Sequence, residues 1–154
     1  LEIPLPVVID ALTQARQQNS VTVLNPAPAT ALTKELLSLC DIAVPNETES
    51  AELGGTQVLL GTGVATVITT LGEQGAEISD ATSTTLIAPH KVDAIDTVGA
   101  GDAFVGALCA EIAQGADIQH AAQIASIAGA LATTVRGAVP SLPQRAAVMS
   151  LYAD

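Results

Sequence analysis

The chain of 154 residues is 49% apolar and only 14% charged, which excludes intrinsic disorder and fits one domain, or part of a larger one, built on a packed core. Its net charge is −11, and the five cations, Arg16, Lys34, Lys91, Arg136 and Arg145, are scattered. With Phe104 and Tyr152 the only aromatic residues, the chain has neither a basic footprint nor stacking platforms for nucleic acid, so any phosphate must be met by backbone N–H groups, helix dipoles and metal ions.

In chain order, Pro4 and Pro6 lead into a helical pattern with Val8, Leu12 and Ala15 on one face, ending near Asn19. Val21, Val23 and Leu24 read as a strand, stopped by Pro26 and Pro28, which forbid both ladder and helix. Thr30 is set to cap a helix running through Leu39, and a short buried strand follows over residues 41–44. Pro45 closes it, and Asn46-Glu47-Thr48-Glu49 opens a helix whose early carboxylates suit the positive end of the dipole; Gly54-Gly55 ends it.

Residues 65–70 (ATVITT) read as a central, fully buried parallel strand, followed by the turn Leu71-Gly72-Glu73-Gln74-Gly75. Residues 76–79 and 84–88 flank Asp80-Ala81 as a hairpin, with a further short strand near residues 91–92. From Gly99 the pattern is helical, with Val105, Leu108, Cys109 and Ile112 on one stripe. Gly115 separates this helix from a second over about residues 118–134, and a last one follows Pro140-Ser141-Leu142-Pro143. Strands alternating with helices imply an α/β layer architecture with a mainly parallel sheet.

Cys40 and Cys109 stand far apart without a CxxC, as reduced, buried thiols of a cytosolic protein do. The uncharged stretch 118–135 is rich in Ala and interrupted by Gln119, His120 and Gln123, short of a spanning helix. The opening LEIPLPVVID carries neither a basic n-region nor a signal-type apolar run. The expectation is a soluble, cytoplasmic protein with no membrane partner. His90 and His120 lack ligand spacing.

The most informative stretch is Asp96-Thr97-Val98-Gly99-Ala100-Gly101-Asp102-Ala103-Phe104, a glycine turn running straight into a helix. Such a turn exposes N–H groups at a positive helix end and makes an anion site that needs no basic side chain. Asp102 would repel an anion; it makes sense where a hydroxyl must lose its proton beside an incoming phosphoryl group. The plainer alternative is that Asp102 only complements the helix dipole and that Gly99 and Gly101 only form a tight turn.

DTVGAGDAF closely resembles the second signature of the ribokinase-like carbohydrate kinase family. Val23-Leu24-Asn25-Pro26-Ala27-Pro28-Ala29, Pro45-Asn46-Glu47-Thr48-Glu49 and Arg136-Gly137-Ala138-Val139-Pro140-Ser141 fall in the family's order. The resemblance extends over essentially all 154 residues. The NPAPA and PNETE wording is closer to the ribokinase branch than to fructokinases or adenosine kinases. The implied fold is a three-layer α/β/α arrangement, incomplete here because the family's first half and its small β lid have no counterpart. Residues 1–154 then form the C-terminal, nucleotide-binding and catalytic half.

Further implications of the resemblance are residue by residue. Asp102 matches the catalytic base that deprotonates a sugar hydroxyl, D-ribose in this branch, for attack on the γ-phosphate of ATP. The amides of Gly99, Ala100, Gly101 and Asp102 match the anion hole. Asn46 and Glu49 match a motif linked to Mg²⁺ and phosphate through water, although alone they read as a cap and a first-turn acid. Thr70, Leu71, Gly72, Glu73, Gln74 and Gly75 match a turn along the nucleotide, and Ser126 stands where relatives often carry Asn or His near the adenine. Asp96, the carbonyls of Val98, Ala132, Val135 and Gly137, and Ser141 match a K⁺ site. Glu2 matches an acid that contacts ribose hydroxyls, at a place where a fragment would leave it frayed. The family also implies a homodimer formed through the lid, and a longer helical segment between Gly55 and Val64.

If the 154 residues were the whole molecule, the alternative would be a non-catalytic nucleotide-binding half-domain with an exposed sheet edge. A dinucleotide oxidoreductase is disfavoured, because no GxGxxG follows the first strand.

Overall fold

In a computed structural model, residues 1–29 and 32–153 are described. Helix α1 (Leu5–Gln17) has Pro4 as its N-cap and buries Val8 and Leu12, as the periodicity predicts. Strand β1 (Val23–Leu24) follows. Helix α2 (Lys34–Leu37) is shorter than expected: Thr33 caps it, its hydroxyl accepting from the Leu36 amide at 3.2 Å, and Thr30 lies outside the described residues. The helix stops because Leu39 and Cys40 donate to Leu36 and Leu37 carbonyls three residues back (both 3.0 Å), a tightened last turn that delivers the chain into the next strand.

Strand β2 (Ile42–Ala43) pairs in parallel with β1, Val23 opposite Ile42 and Leu24 opposite Ala43. Asn46 then caps α3 (Glu47–Glu52). The sequence left residues 55–64 without an element, but they contain α4 (Thr56–Gly61), which buries Leu59 completely. Its N-cap is Gly55 rather than Ser, Thr, Asp or Asn, so the usual start signal is missing.

Strand β3 (Thr66–Thr70) lies parallel to β2, with Ile42 opposite Thr66 and Ala43 opposite Val67. Strands β4 (Ala76–Ser79) and β5 (Thr84–Ile87) form the expected hairpin. At its tip the Asp80 amide donates to the Ser83 carbonyl (3.0 Å), and the Asp80 carboxylate takes the amides of Thr82 and Ser83. The sheet runs β1-β2-β3-β4-β5. Residues 91–92 form no strand; Lys91 is exposed and no ladder partner reaches it among the described residues.

Helices α5 (Ala100–Ala113), α6 (Ile118–Ala132), α7 (Ala138–Ser141) and α8 (Arg145–Tyr152) complete the chain. Of the expected α5 stripe only Leu108 is fully buried; the buried face is Ala103, Phe104, Leu108 and Glu111. The face is rotated because Glu111, a carboxylate that a pattern reading turns outward, is paired with Arg145 at the start of α8. Opposite α5, small residues of α6 (Ala121, Ala125, Ala128 and Gly129) let the two helices approach closely.

The chain divides into two compact units, Leu1–Leu71 with Glu77–Thr85, and Gly72–Ala76 with Leu86–Asp154. In the first, Leu12, Leu36, Leu59 and Val67 belong to one apolar core; complete burial of Leu36 or Leu59 contributes about 1.5–3 kcal/mol each. In the second, Ile124, Ile127 and Val148 fasten α8 to α6.

Candidate functional site

Within the first unit, the residues singled out in the sequence gather where the parallel strands end. The Asn46 side chain accepts from the Glu49 amide and the Glu49 carboxylate from the Asn46 amide, both at 2.8 Å. This reciprocal pair satisfies two of the orphan donors at the start of α3. Asn46 is bridged to Thr70, and the Thr70 amide donates to the Pro45 carbonyl at 2.9 Å, so Asn46, Glu49 and Thr70 are brought together. Asn25 of the NPAPA loop is tied to the same end of the sheet by its amide, which donates to the Val44 carbonyl at 2.8 Å. Glu2 is exposed, and the Leu1 nitrogen before it donates to the carbonyls of Asn25 and Ala27 in that loop. The carboxyl ends of parallel strands are where α/β sheets bind ligands.

Leu71 leads into the glycine turn of the second unit, where Gly72, Glu73 and Gln74 form a 3-10 turn closed by Gly75, its amide donating to the Gly72 carbonyl at 3.1 Å. Gly75 has φ +93°, and a side chain there would overlap the Ile87 carbonyl oxygen, so only glycine fits between this turn and β5.

The loop before α5 is clipped at both ends. The amides of Ile95 and Asp96 donate to the Thr133 carbonyl (2.7 and 3.0 Å). Asp96 accepts from the Gly137 amide (2.9 Å) and the Val98 amide (3.1 Å). Those two amides, the Gly137 bond first, hold its carboxyl below the usual range. Val98 is therefore drawn toward Gly137, and Ser141, 3% exposed, gives its hydroxyl to the Ala138 carbonyl at 2.7 Å. Ala132 is buried at the end of α6, and Val135, between α6 and α7, is half exposed. Ser126 lies mid-helix in α6, half-buried.

Gly99 turns the chain into α5 with φ +81°, and a Cβ there would stand 3.0 Å from the Ala138 Cα. Both the left-handed conformation and the close approach demand glycine. The Ala100 amide donates to the Thr97 carbonyl at 3.2 Å, whereas no backbone carbonyl among the described residues accepts from Gly101 or Asp102. Asp102 is exposed in the first turn of α5. The tip thus presents two unengaged donors at the positive end of a 14-residue helix, and one carboxylate beside them.

Among the described residues no three His, Cys, Asp or Glu side chains cluster into a metal cage. A cation here must share its shell with water or substrate oxygens, as Mg²⁺ does; Glu49 commits one carboxylate oxygen to the Asn46 amide, and the other suits such a water-mediated role. Both Asp96 carboxylate oxygens are taken by amides, Oδ2 by that of Gly137 and Oδ1 by that of Val98. Sequence reasoning named Asn25 only as part of its motif and missed Thr33 and Glu111; Thr33 carried the local signal of a helix start, whereas the partner of Glu111 is set by the fold. No helix among the described residues is long and apolar enough to cross a membrane.

The family model for pfkB family carbohydrate kinases matches residues 1–145. A ribokinase of Staphylococcus aureus (strain COL) is 40% identical over 156 residues, covering 93% of this chain and 51% of that protein. A solved ribokinase of Arabidopsis thaliana, complexed with ribose and ATP, has a TM-score of 0.91 at 28% identity over 97% of this chain and 53% of its own. A putative ribokinase II of E. coli, in complex with ATP and Mg²⁺, has a TM-score of 0.80 at 28% identity, covering 93% of this chain and 52% of its own. The chain spans about half the length of the ribokinases it matches.

Proposed function

The chain belongs to the pfkB family of carbohydrate kinases, and from that premise we propose that residues 1–154 form the nucleotide-binding and catalytic half of an ATP-dependent sugar kinase of the ribokinase type. The substrate proposed is D-ribose, in line with the ribose and ATP bound to the Arabidopsis relative. The observation that carries the reading is the tip of α5, where the unengaged amides of Gly101 and Asp102 adjoin the Asp102 carboxylate.

A triphosphate brings several negative charges to a chain of net charge −11. No lysine or arginine lies within residues 96–104, so the field at the tip comes from backbone N–H groups and the helix dipole. Asp102 accepts the proton of the sugar hydroxyl as that oxygen attacks the γ-phosphorus and ADP departs. The Gly101 and Asp102 amides, with that of Gly99, stabilise the charge spread over the transferring group. Ala100, whose amide is spent on Thr97, serves by holding the turn. Thr70, Leu71, Gly72, Glu73, Gln74 and Gly75 run along the nucleotide, Ser126 stands on its adenine side, and Glu2 meets the sugar hydroxyls.

Asn46 and Glu49 would hold Mg²⁺ through water, and that ion would neutralise phosphate charge when bound. Asp96 with the carbonyls of Val98, Ala132, Val135 and Gly137, and Ser141, would hold K⁺ and brace the loop before α5. Cys40 and Cys109 are unpaired thiols, which suits the reducing cytoplasm where ATP is plentiful.

The test is ATP turnover with D-ribose in the full-length protein, with and without K⁺, beside Asp102→Asn. The substitution is expected to lower kcat by about 10²–10⁴, the usual contribution of a positioned base. An unchanged rate would remove Asp102 from the chemistry. A wild type that releases no ADP in response to any sugar would overturn the kinase reading itself.

A further inference from the structure

Strand β3 carries one buried polar atom without a partner among the described residues. Thr69 is 6% exposed, and among the described residues its buried Oγ1 meets no hydrogen-bond partner. Such an orphan is costly, and protein interiors answer it with an ordered water where a second polar group can share that water. Side chains alternate along a strand, so Thr69 shares its face with Val67, which packs in the core with Leu36 and Leu59.

Helix α3 follows on the side of that core. It packs on β3, and Leu53, which ends it, packs against that same core. Yet α3 sends no apolar side chain of its own into the seat: its one buried residue is Ser50, 7% exposed. A helix normally docks through an apolar stripe. Here the buried residue of the helix is a serine one position after Glu49, and the orphaned residue of the strand is a threonine one position before Thr70, to which Asn46 is bridged.

We infer that Thr69 is a positioning residue: with Ser50 it holds one buried water between β3 and α3, and that water fixes the Asn46–Glu49 pair relative to Thr70. The inference rests on the sugar kinase reading, because the Asn46–Glu49 pair matters there as the hold on Mg²⁺ and phosphate. Thr69 touches neither nucleotide nor metal in this scheme; it acts through α3.

The test uses the full-length protein with Thr69→Val, which keeps the shape and deletes the hydroxyl, and Thr69→Ser, which keeps the hydroxyl. The valine variant is expected to raise KM for Mg·ATP about fivefold, the size of one net hydrogen bond, with kcat and the sugar KM held within about twofold. Its Tm stays at or above that of the wild type, since no bond between protein groups is lost, and the serine variant restores KM. A high-resolution crystal structure shows a water bonded to Thr69 Oγ1 and Ser50 Oγ, displaced in the valine variant. A valine variant with wild-type KM, a serine variant that fails to restore it, or a crystal structure without that water overturns the inference while leaving the kinase reading intact. A wild type that does not turn over Mg·ATP overturns the kinase reading and this inference with it.

Discussion

The first turn of α5 offers a substitution for which stability and activity move in opposite directions. Gly101 is absent from the positive-φ glycines, and no atom lies within 4 Å of where its Cβ would stand. Neither backbone conformation nor packing among the described residues calls for glycine there. Alanine narrows the unfolded ensemble and suits a helix, so Gly101→Ala is expected to stabilise the fold by about 0.4–1 kcal/mol, a Tm rise of about 1–3 °C. If that open space is where a phosphoryl oxygen comes down onto the Gly101 and Asp102 amides, the added methyl stands in its way. Loss of such donors lowers kcat by about 10²–10³. Both readouts come from one preparation: thermal unfolding, and ADP release with D-ribose. Gly99→Ala provides the contrast, because φ is +81° and the new Cβ would stand 3.0 Å from the Ala138 Cα, so both stability and activity fall. A Gly101→Ala protein that is more stable and fully active would mean that nothing binds closely over the helix tip. One that is less stable would mean that the conformation of the turn is wrong.

Two further outcomes follow from charged groups away from that tip. The Asp96 carboxyl is held low by the Gly137 amide and then by the Val98 amide. Its clip is therefore complete above the ordinary carboxylate value of 3.8 and is lost as pH falls through the lower folded value; the Gly137 and Val98 amide resonances should titrate together below 3.8. Arg145→Ala leaves the Glu111 carboxylate, 5% exposed, without its cation, and should lower Tm clearly. Adding Glu111→Leu should recover most of that loss, since an apolar residue needs no partner in that site. A single variant as stable as the wild type would show that Glu111 finds water or another donor.

What was legible in the sequence was local. The GAGDAF turn and the start of α5, the Asn46 cap, the β4–β5 hairpin and the long α6 all depend on residues within one turn or one strand of each other, so spacing alone reveals them. The missed features depend on distance in the chain. Glu111 and Arg145 are 34 residues apart, and only their pairing explains why α5 buries a carboxylate in place of Val105 or Ile112. Helix α4 escaped notice because its six residues, TQVLLG, are too few to set a period and begin at Gly55. Residues 91–92 have strand-like content but no partner, and a ladder is made by two segments, not one.

The same distinction bears on the candidate site. Asp102, Gly101, Asn46 and Glu49 could be singled out because each sits at a helix start, where the chemistry of binding an anion and the chemistry of capping ask for the same residue types. Sequence alone leaves those two roles indistinguishable. The bonds speak to the capping role. Asn46 and Glu49 spend a bond each on one another, so their capping role is filled whatever else they do. Asp102 caps nothing among the described residues, and the amides of Gly101 and Asp102 answer to no carbonyl. A first-turn carboxylate that caps nothing can still complement the dipole, but it spends no bond within the chain, and the two donors beside it stay open to a ligand. That asymmetry is why the catalytic proposal rests on α5 and the α3 pair enters it as a support.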